Sequence, residues 1–256
     1  MKKITFLIYG CLAAALSVSA SPNDTLINGI PVNFTYTSSP FPPDWQEAPI
    51  SAKAAPMSSA EARRTAAVLV TAMNKYPATM LKANLKAVYF FKSMSFYNVG
   101  YGGTNSTDIL YLTNDGEEYG YTDTYLEQTF HHEFSSILFR NFPKYLDTTA
   151  WQKANAPGFI YNDPEAGVGA IRNGQSSQDP DSLLCMKGLL TQYAGSGIEN
   201  DINTIAQNLF RPDPRFWRYV KKYPRIRIKT KLLISFYHQY DPQFTEAYFR
   251  KFATKS

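Results

Sequence analysis

Phe130-His131-His132-Glu133-Phe134-Ser135-Ser136 is the stretch in which residue types and spacing come nearest to a reactive centre. Two histidines four residues apart on a helix share one face. With a glutamate beside the first, they can hold a zinc ion and activate its bound water. His132 and Glu133 stand in the first two of those places, as metal ligand and general base. The place four residues on holds Ser136, whose neutral hydroxyl is a poor ligand. A catalytic zinc site takes three protein ligands drawn from His, Cys and carboxylate, plus an open position. His131 lies about 100° around the helix from His132, so the two do not easily face one metal.

Other chemistry-bearing residues are sparse. The third histidine, His238, sits among aromatic residues, where an imidazole is more often structural. Cys185 reads as a small buried side chain. The cluster Gly100, Gly102 and Gly103 reads as a loop and lacks the helix that a phosphate site requires. Asp201 is a carboxylate which, if the fold brings it near His132, could supply a further metal ligand.

The elements that would position these groups are legible as patterns. Thr122-Asp123 caps a helix running to about Asn141, with Leu126, Phe130, Phe134, Ile137 and Leu138 at helical spacing. Ser58 and Glu61 have capping-box spacing and open a helix to about Lys75. Pro77 ends it or opens a second short one. Leu85–Lys92 and Asp108–Thr113 have strand composition, as does Ile30–Tyr36, and Asn114-Asp115-Gly116 is a turn. Residues 143–182 read mostly as loop. Helices are expected over Leu183–Tyr193, over Asn200–Phe210 with Glu199 or Asn200 as cap, over Ile226–Tyr240 and over Thr245–Phe252. No internal repeat is present. The fold class is α+β.

The 256-residue chain opens on Lys2-Lys3, an apolar run from Ile4 to about Leu16, and Val18-Ser19-Ala20. Residues 1–20 therefore read as a secretory signal. The run is shorter than the roughly 20 residues a membrane span requires, so no transmembrane helix is expected. Ile8-Tyr9-Gly10-Cys11 loosely resembles a lipoprotein box, which would place a lipid on Cys11. Residues 21–57 carry seven prolines and read as an N-terminal arm. Residues 58–256 form the main domain. With the signal removed, Cys185 is the one remaining cysteine, so no internal disulfide can form. The 18 tyrosines and 17 phenylalanines favour a well-filled core or an aromatic binding surface. Net charge is +5, and residues 211–256 hold 12 Lys or Arg against 3 Asp or Glu. Such a run is ordinarily a solvated helical face, and a nucleic-acid partner is not expected of an exported protein.

The order helix, strand, strand, His-Glu helix and helical C-terminal half looks like the layout of zincin-type metallopeptidases. Over roughly residues 58–252 the chain resembles the zinc-binding metallopeptidases exported by Bacteroidetes. The match is carried by Glu127-Gln128-Thr129-Phe130-His131-His132-Glu133-Phe134, the Ile137-Leu138 pair, Tyr193-Ala194-Gly195-Ser196, Asn200-Asp201-Ile202 and the closing helix from Lys229 to Tyr240. The resemblance implies a zincin-like domain in which a small sheet packs on the His-Glu helix. This chain departs from the family pattern. Ser136 replaces a histidine ligand, and Phe139 stands where many members have another. Asn200-Asp201-Ile202-Asn203-Thr204 replaces a more acidic stretch, leaving Asp201 as its carboxylate.

Three expectations follow. In the first, the metal site is degenerate and the cleft binds peptide or glycan without efficient hydrolysis. In the second, the protein is an active zinc metallopeptidase with an unusual set such as His132 and Asp201, with Glu133 as base. In the third, it is a cell-surface accessory protein in nutrient capture, whose aromatic loop around Trp151 and Phe159 meets ligands or outer-membrane partner proteins.

Overall fold

The computed structural model describes residues 24–161 and 167–253. Residues 1–20, read above as a secretory signal, and Cys11 with them, lie outside the described residues. Two sheets and eleven α-helices are found among the described residues. The strands are β1 (Thr25–Ile27), β2 (Ile30–Asn33), β3 (Lys53–Ala55), β4 (Ala87–Phe91), β5 (Ser93–Phe96), β6 (Val99–Tyr101), β7 (Gly103–Asn105) and β8 (Ile109–Thr113). The helices before the His-Glu segment are α1 (Pro43–Gln46), α2 (Ser59–Met73) and α3 (Ala78–Asn84). The His-Glu segment itself is α4 (Asp123–Asn141). After it come α5 (Thr148–Lys153), α6 (Val168–Arg172), α7 (Ser182–Lys187), α8 (Ile198–Phe210), α9 (Phe216–Lys222), α10 (Pro224–Tyr240) and α11 (Glu246–Ala253). The fold is α+β.

The larger sheet has the order β1-β2-β4-β8-β7. Its three central strands run parallel, and β1 and β7 are antiparallel at the two edges. Parallel strands are ordinarily covered on both faces, and β4 and β8 have the side chains for it. Val88, Phe90, Leu110 and Leu112 join the main core beneath the helices. The alternating residues Phe91 and Tyr111 join a second aromatic core with Phe41, Met94 and Phe96. The smaller antiparallel sheet β3-β5-β6 helps build that second core.

Residues 24–57, expected as a proline-rich arm, supply β1, β2, α1 and β3. Ile30, Val32, Phe34 and Phe41 are buried there. Pro31 lies in β2 just before its pairing with β4 begins, and the other prolines fall in loops and turns and at the start of α1, where a missing backbone donor costs little.

Helix α4 is the centre of the molecule. Thr122 caps it by accepting from the Tyr125 amide at 3.2 Å. Every residue from Phe130 to Leu138 is buried, charged and polar ones included. Helix α2 packs on one side and α8 on another, and α8 is buried from Asp201 to Phe210. Phe210 stacks on Tyr76 and on His131, with ring centroids 4.3 and 4.9 Å apart, and meets Tyr237, Phe244 and Phe249 edge-on.

Three sequence expectations change. The helix expected over Leu183–Tyr193 stops at Lys187. Gly188 follows with φ of +96°, its amide donating to Cys185 and Leu184 carbonyls. A Cβ there would lie 2.9 Å from the Ala154 carbonyl oxygen, so the chain turns where only glycine fits. Helix α8 begins at Ile198, after Gly197, without a side-chain cap from Glu199 or Asn200. The glycine cluster expected as a loop instead forms β6 and β7. Gly103 brings β7 against α4: a Cβ there would sit 2.8 Å from Glu133 Oε1 and from Thr129 Cγ2.

Phe210→Ala is expected to cost about 3–5 kcal/mol of unfolding free energy, as large core truncations do. Urea denaturation of the wild type and the variant measures it.

Candidate functional site

The cleft lies between α4, α8 and the β6–β7 segment and has a volume of about 720 Å³. Successive turns of one face of α4 line it: Tyr125, Thr129, His132, Glu133, Ser136 and Arg140. This is the face that the motif requires. Asn200, Asn203 and Gln207 close it from α8, and Tyr193 adds an aromatic wall.

His132 Nδ1 is 2.8 Å from Gln207 Oε1. A carboxamide oxygen only accepts, so Nδ1 carries the proton and Nε2 is left as an acceptor. The imidazole lies roughly parallel to the Tyr193 ring, with centroids 6.1 Å apart. Glu133 Oε2 accepts from Asn105 Nδ2 at 2.6 Å. Asn105 Oδ1 in turn accepts from Arg140, which also donates to the Ser106 carbonyl at 2.8 Å and pairs with Glu199 at 3.0 Å. The guanidinium at one end and the carboxylate at the other fix how the Asn105 amide is turned. Burial holds the Glu133 carboxyl above the usual carboxylate range, against the opposing pull of His132 and the Asn105 bond. Ser136 Oγ accepts from Asn203 Nδ2 at 2.6 Å.

The sequence-selected residues therefore separate. His132, Glu133 and Ser136 share the cleft. Asp201 does not line it. Two residues before Asn203, it lies about 200° around α8 and points to the opposite side. There it bonds Lys229 Nζ at 2.5 Å, Tyr161 Oη at 2.7 Å and Trp151 Nε1 at 2.9 Å. His238 is exposed on α10 and also lies outside the cleft. Trp151 is fully buried, which removes the principal residue of the aromatic-loop expectation.

These residues do not fit a catalytic zinc. From α4 the cleft offers one imidazole and one carboxylate at adjacent helical positions; the second carboxylate in its lining, Glu199, is paired with Arg140, and the groups that face His132 and Ser136 are neutral carboxamides. Among the described residues, no three His, Cys, Asp or Glu side chains converge. His132 and Asp201, expected as metal ligands, lie on opposite sides of α8, Asp201 being bonded to Lys229 and Trp151, so the structure does not bring them together. What the cleft does offer is a bipolar surface. His132 Nε2 accepts, the carboxamides donate and accept, and Glu133 is raised toward its neutral form.

His131 turns the other way, into the aromatic core. Its Nδ1 is 2.9 Å from Tyr76 Oη, and its Nε2 is 3.6 Å from Glu127 Oε1. Burial lowers its pKa to about 4. Glu127 is also pulled up by burial, but His131 and Lys75 outweigh that and bring it to about 2. Lys75 pairs with it directly, and Arg211 Nε lies 3.4 Å away.

Asn105, Arg140 and Gln207 are site residues that pattern reading did not single out. Arg140 is legible only as the last turn of α4, and Asn105 only once β7 is known to be a strand. No family model, no curated protein and no solved structure matches this chain.

Both buried groups depress stability in acid. His131 must stay neutral, so stability present above its unfolded pKa of about 6.5 is lost as pH falls toward 4. Glu127 must stay ionised, so its contribution is lost between about pH 4.5 and 2. Urea midpoints measured from pH 8 to 3 are expected to fall as pH drops from 6.5 toward 4, and that part of the fall should shrink in His131→Gln.

Proposed function

We propose that this protein binds an extended peptide in the α4–β7 cleft without hydrolysing it efficiently. In this reading it is an exported member of the zincin-like lineage that has lost its metal site. Support for the lineage comes from the placement of an antiparallel edge strand alongside the helix bearing His132 and Glu133. Support for lost hydrolysis comes from Ser136 and Asn203, which bond each other where a second imidazole would be needed.

The observation that carries the peptide reading is the outer edge of β7. The Thr113 amide bonds the Gly102 carbonyl, and the Ser106 amide bonds the Ile109 carbonyl. Even-numbered residues of β7 therefore face β8, and the backbone groups of Gly103 and Asn105 face away from it. No other strand pairs with that side among the described residues, and both residues line the cleft. A row of outward amides and carbonyls is a template for an added strand. The neutral donors and acceptors of α8 face it across the cleft.

Fluorescence anisotropy with a library of labelled extended peptides tests the proposal. Saturable binding is expected, independent of added zinc. It should fall at least tenfold in Gly100→Phe, where the new side chain enters the cleft mouth; an added Cβ at Gly100 meets nothing within 4 Å. Binding of oligosaccharides but no peptide would redirect the reading to glycans. Peptide cleavage by zinc-supplemented protein that stops in Glu133→Gln would refute it.

A further inference from the structure

On the far side of α8 from the cleft, Lys229, Asn155 and Asp201 form a buried group that the proposed function does not use. Lys229 and Asp201 are both 0% exposed, and Asn155 is 5% exposed. Lys229 Nζ donates to Asn155 Oδ1, to Asp201 Oδ2 at 2.5 Å and to the Gly188 carbonyl at 2.7 Å. The Trp151 ring covers the amine, with its centroid 5.4 Å from Nζ. Arg225 holds the Asn155 backbone carbonyl at 2.5 Å.

We propose that Lys229 and Asn155 join through a spontaneous intramolecular isopeptide bond, with Asp201 as the proton-transfer group. The amine touches the carboxamide oxygen, and the reacting carbon Cγ lies one bond of about 1.23 Å beyond it. The amine is thus held against the carboxamide it would attack, the arrangement that intramolecular reaction requires. Water, the competing nucleophile and the solvent that would keep the amine charged, is excluded by burial. Burial lowers the Lys229 pKa and raises that of Asp201, which favours the neutral amine beside the neutral acid. Asp201 Oδ1 is buried without a hydrogen-bond partner, a costly position for a carboxylate oxygen. Tyr161 completes the path, accepting from Asn155 Nδ2 at 3.3 Å and donating to Asp201 Oδ2 at 2.7 Å.

The step balances without an oxidant. A proton passes from the Lys229 ammonium to Asp201, leaving a free amine. Nζ attacks Cγ as the Asp201 proton moves to Oδ1, and the Cγ–Nζ bond forms. Asp201 then takes a proton from Nζ and returns it to Nδ2. The Cγ–Nδ2 bond breaks, the Oδ1 proton returns to Asp201 and the carbonyl re-forms. Ammonia leaves with Nδ2, its two hydrogens and one hydrogen from Nζ. The product is an amide tying α10 to the segment that follows α5.

Mass spectrometry of the purified, denatured wild-type protein tests this. A deficit of about 17 Da for the lost ammonia is expected, together with a branched proteolytic peptide containing residues 155 and 229. Peptides with unmodified Lys229 and Asn155 at full mass would overturn the proposal. So would a deficit confined to a linear peptide, which marks an internal succinimide. Asp201→Asn is expected to restore full mass in the folded variant, and a folded variant that keeps the branched peptide would overturn the role of Asp201. The wild-type spectrum decides the cross-link whether or not that variant folds.

Discussion

A helix buried over most of its surface must find partners for the polar groups it carries, and α4 meets that constraint at most positions, Ser135 Oγ excepted. Its position between α2 and α8 leaves little solvent to satisfy Glu127 or His131, and only the cleft side of His132, Glu133 and Ser136 is open. Each is met by a side chain from another element. Lys75 reaches Glu127, Tyr76 reaches His131, Gln207 reaches His132, Asn105 reaches Glu133 and Asn203 reaches Ser136. Buried polar groups left without partners cost of the order of 1–3 kcal/mol each. The packing of α4 on α8 is thus specified by polar matching as much as by its apolar contacts.

That matching also bears on chemistry. A dication in the cleft would need anionic or imidazole ligands, and the partners facing His132 and Ser136 are neutral carboxamides. Gln207 fixes the tautomer of His132 without contributing charge. Around His132 and Ser136 the surface is one of neutral hydrogen-bonding groups, with Glu133 beside them and the Arg140–Glu199 ion pair in the same lining. Asn105 holds the Glu133 carboxyl in place, and Arg140 ties the end of α4 to β7 through Asn105.

Much of this was readable in the sequence where local signals and burial agree. The span of α4 follows from the Thr122 cap and the apolar spacing, and β4 and β8 from their β-branched and aromatic composition. His132 and Glu133 were found because their spacing is a chemical motif. The sequence misled where glycine carries two meanings. Gly103 looks like loop punctuation, but the strand needs it to approach Glu133. Gly188 ends a helix whose apolar pattern continues past it. Asp201 shows the remaining limit: its identity as a carboxylate was plain, but which way it points depends on the register of α8, which begins at Ile198 after an uncapped Gly197. Lys229 likewise looked like part of a basic solvated run and is instead fully enclosed.

Cys185 is the free thiol among the described residues, and it lies entirely within the core on α7. Burial, with Asp181 nearby, pushes it up to about 12. Exchange with a disulfide proceeds through the thiolate, and almost none forms at neutral pH in that setting. Oxidants that capture exposed sulfur have neither access to this atom nor a reactive form of it to meet. Cys185 therefore stays within the folded chain without the tendency to link covalently to its neighbours.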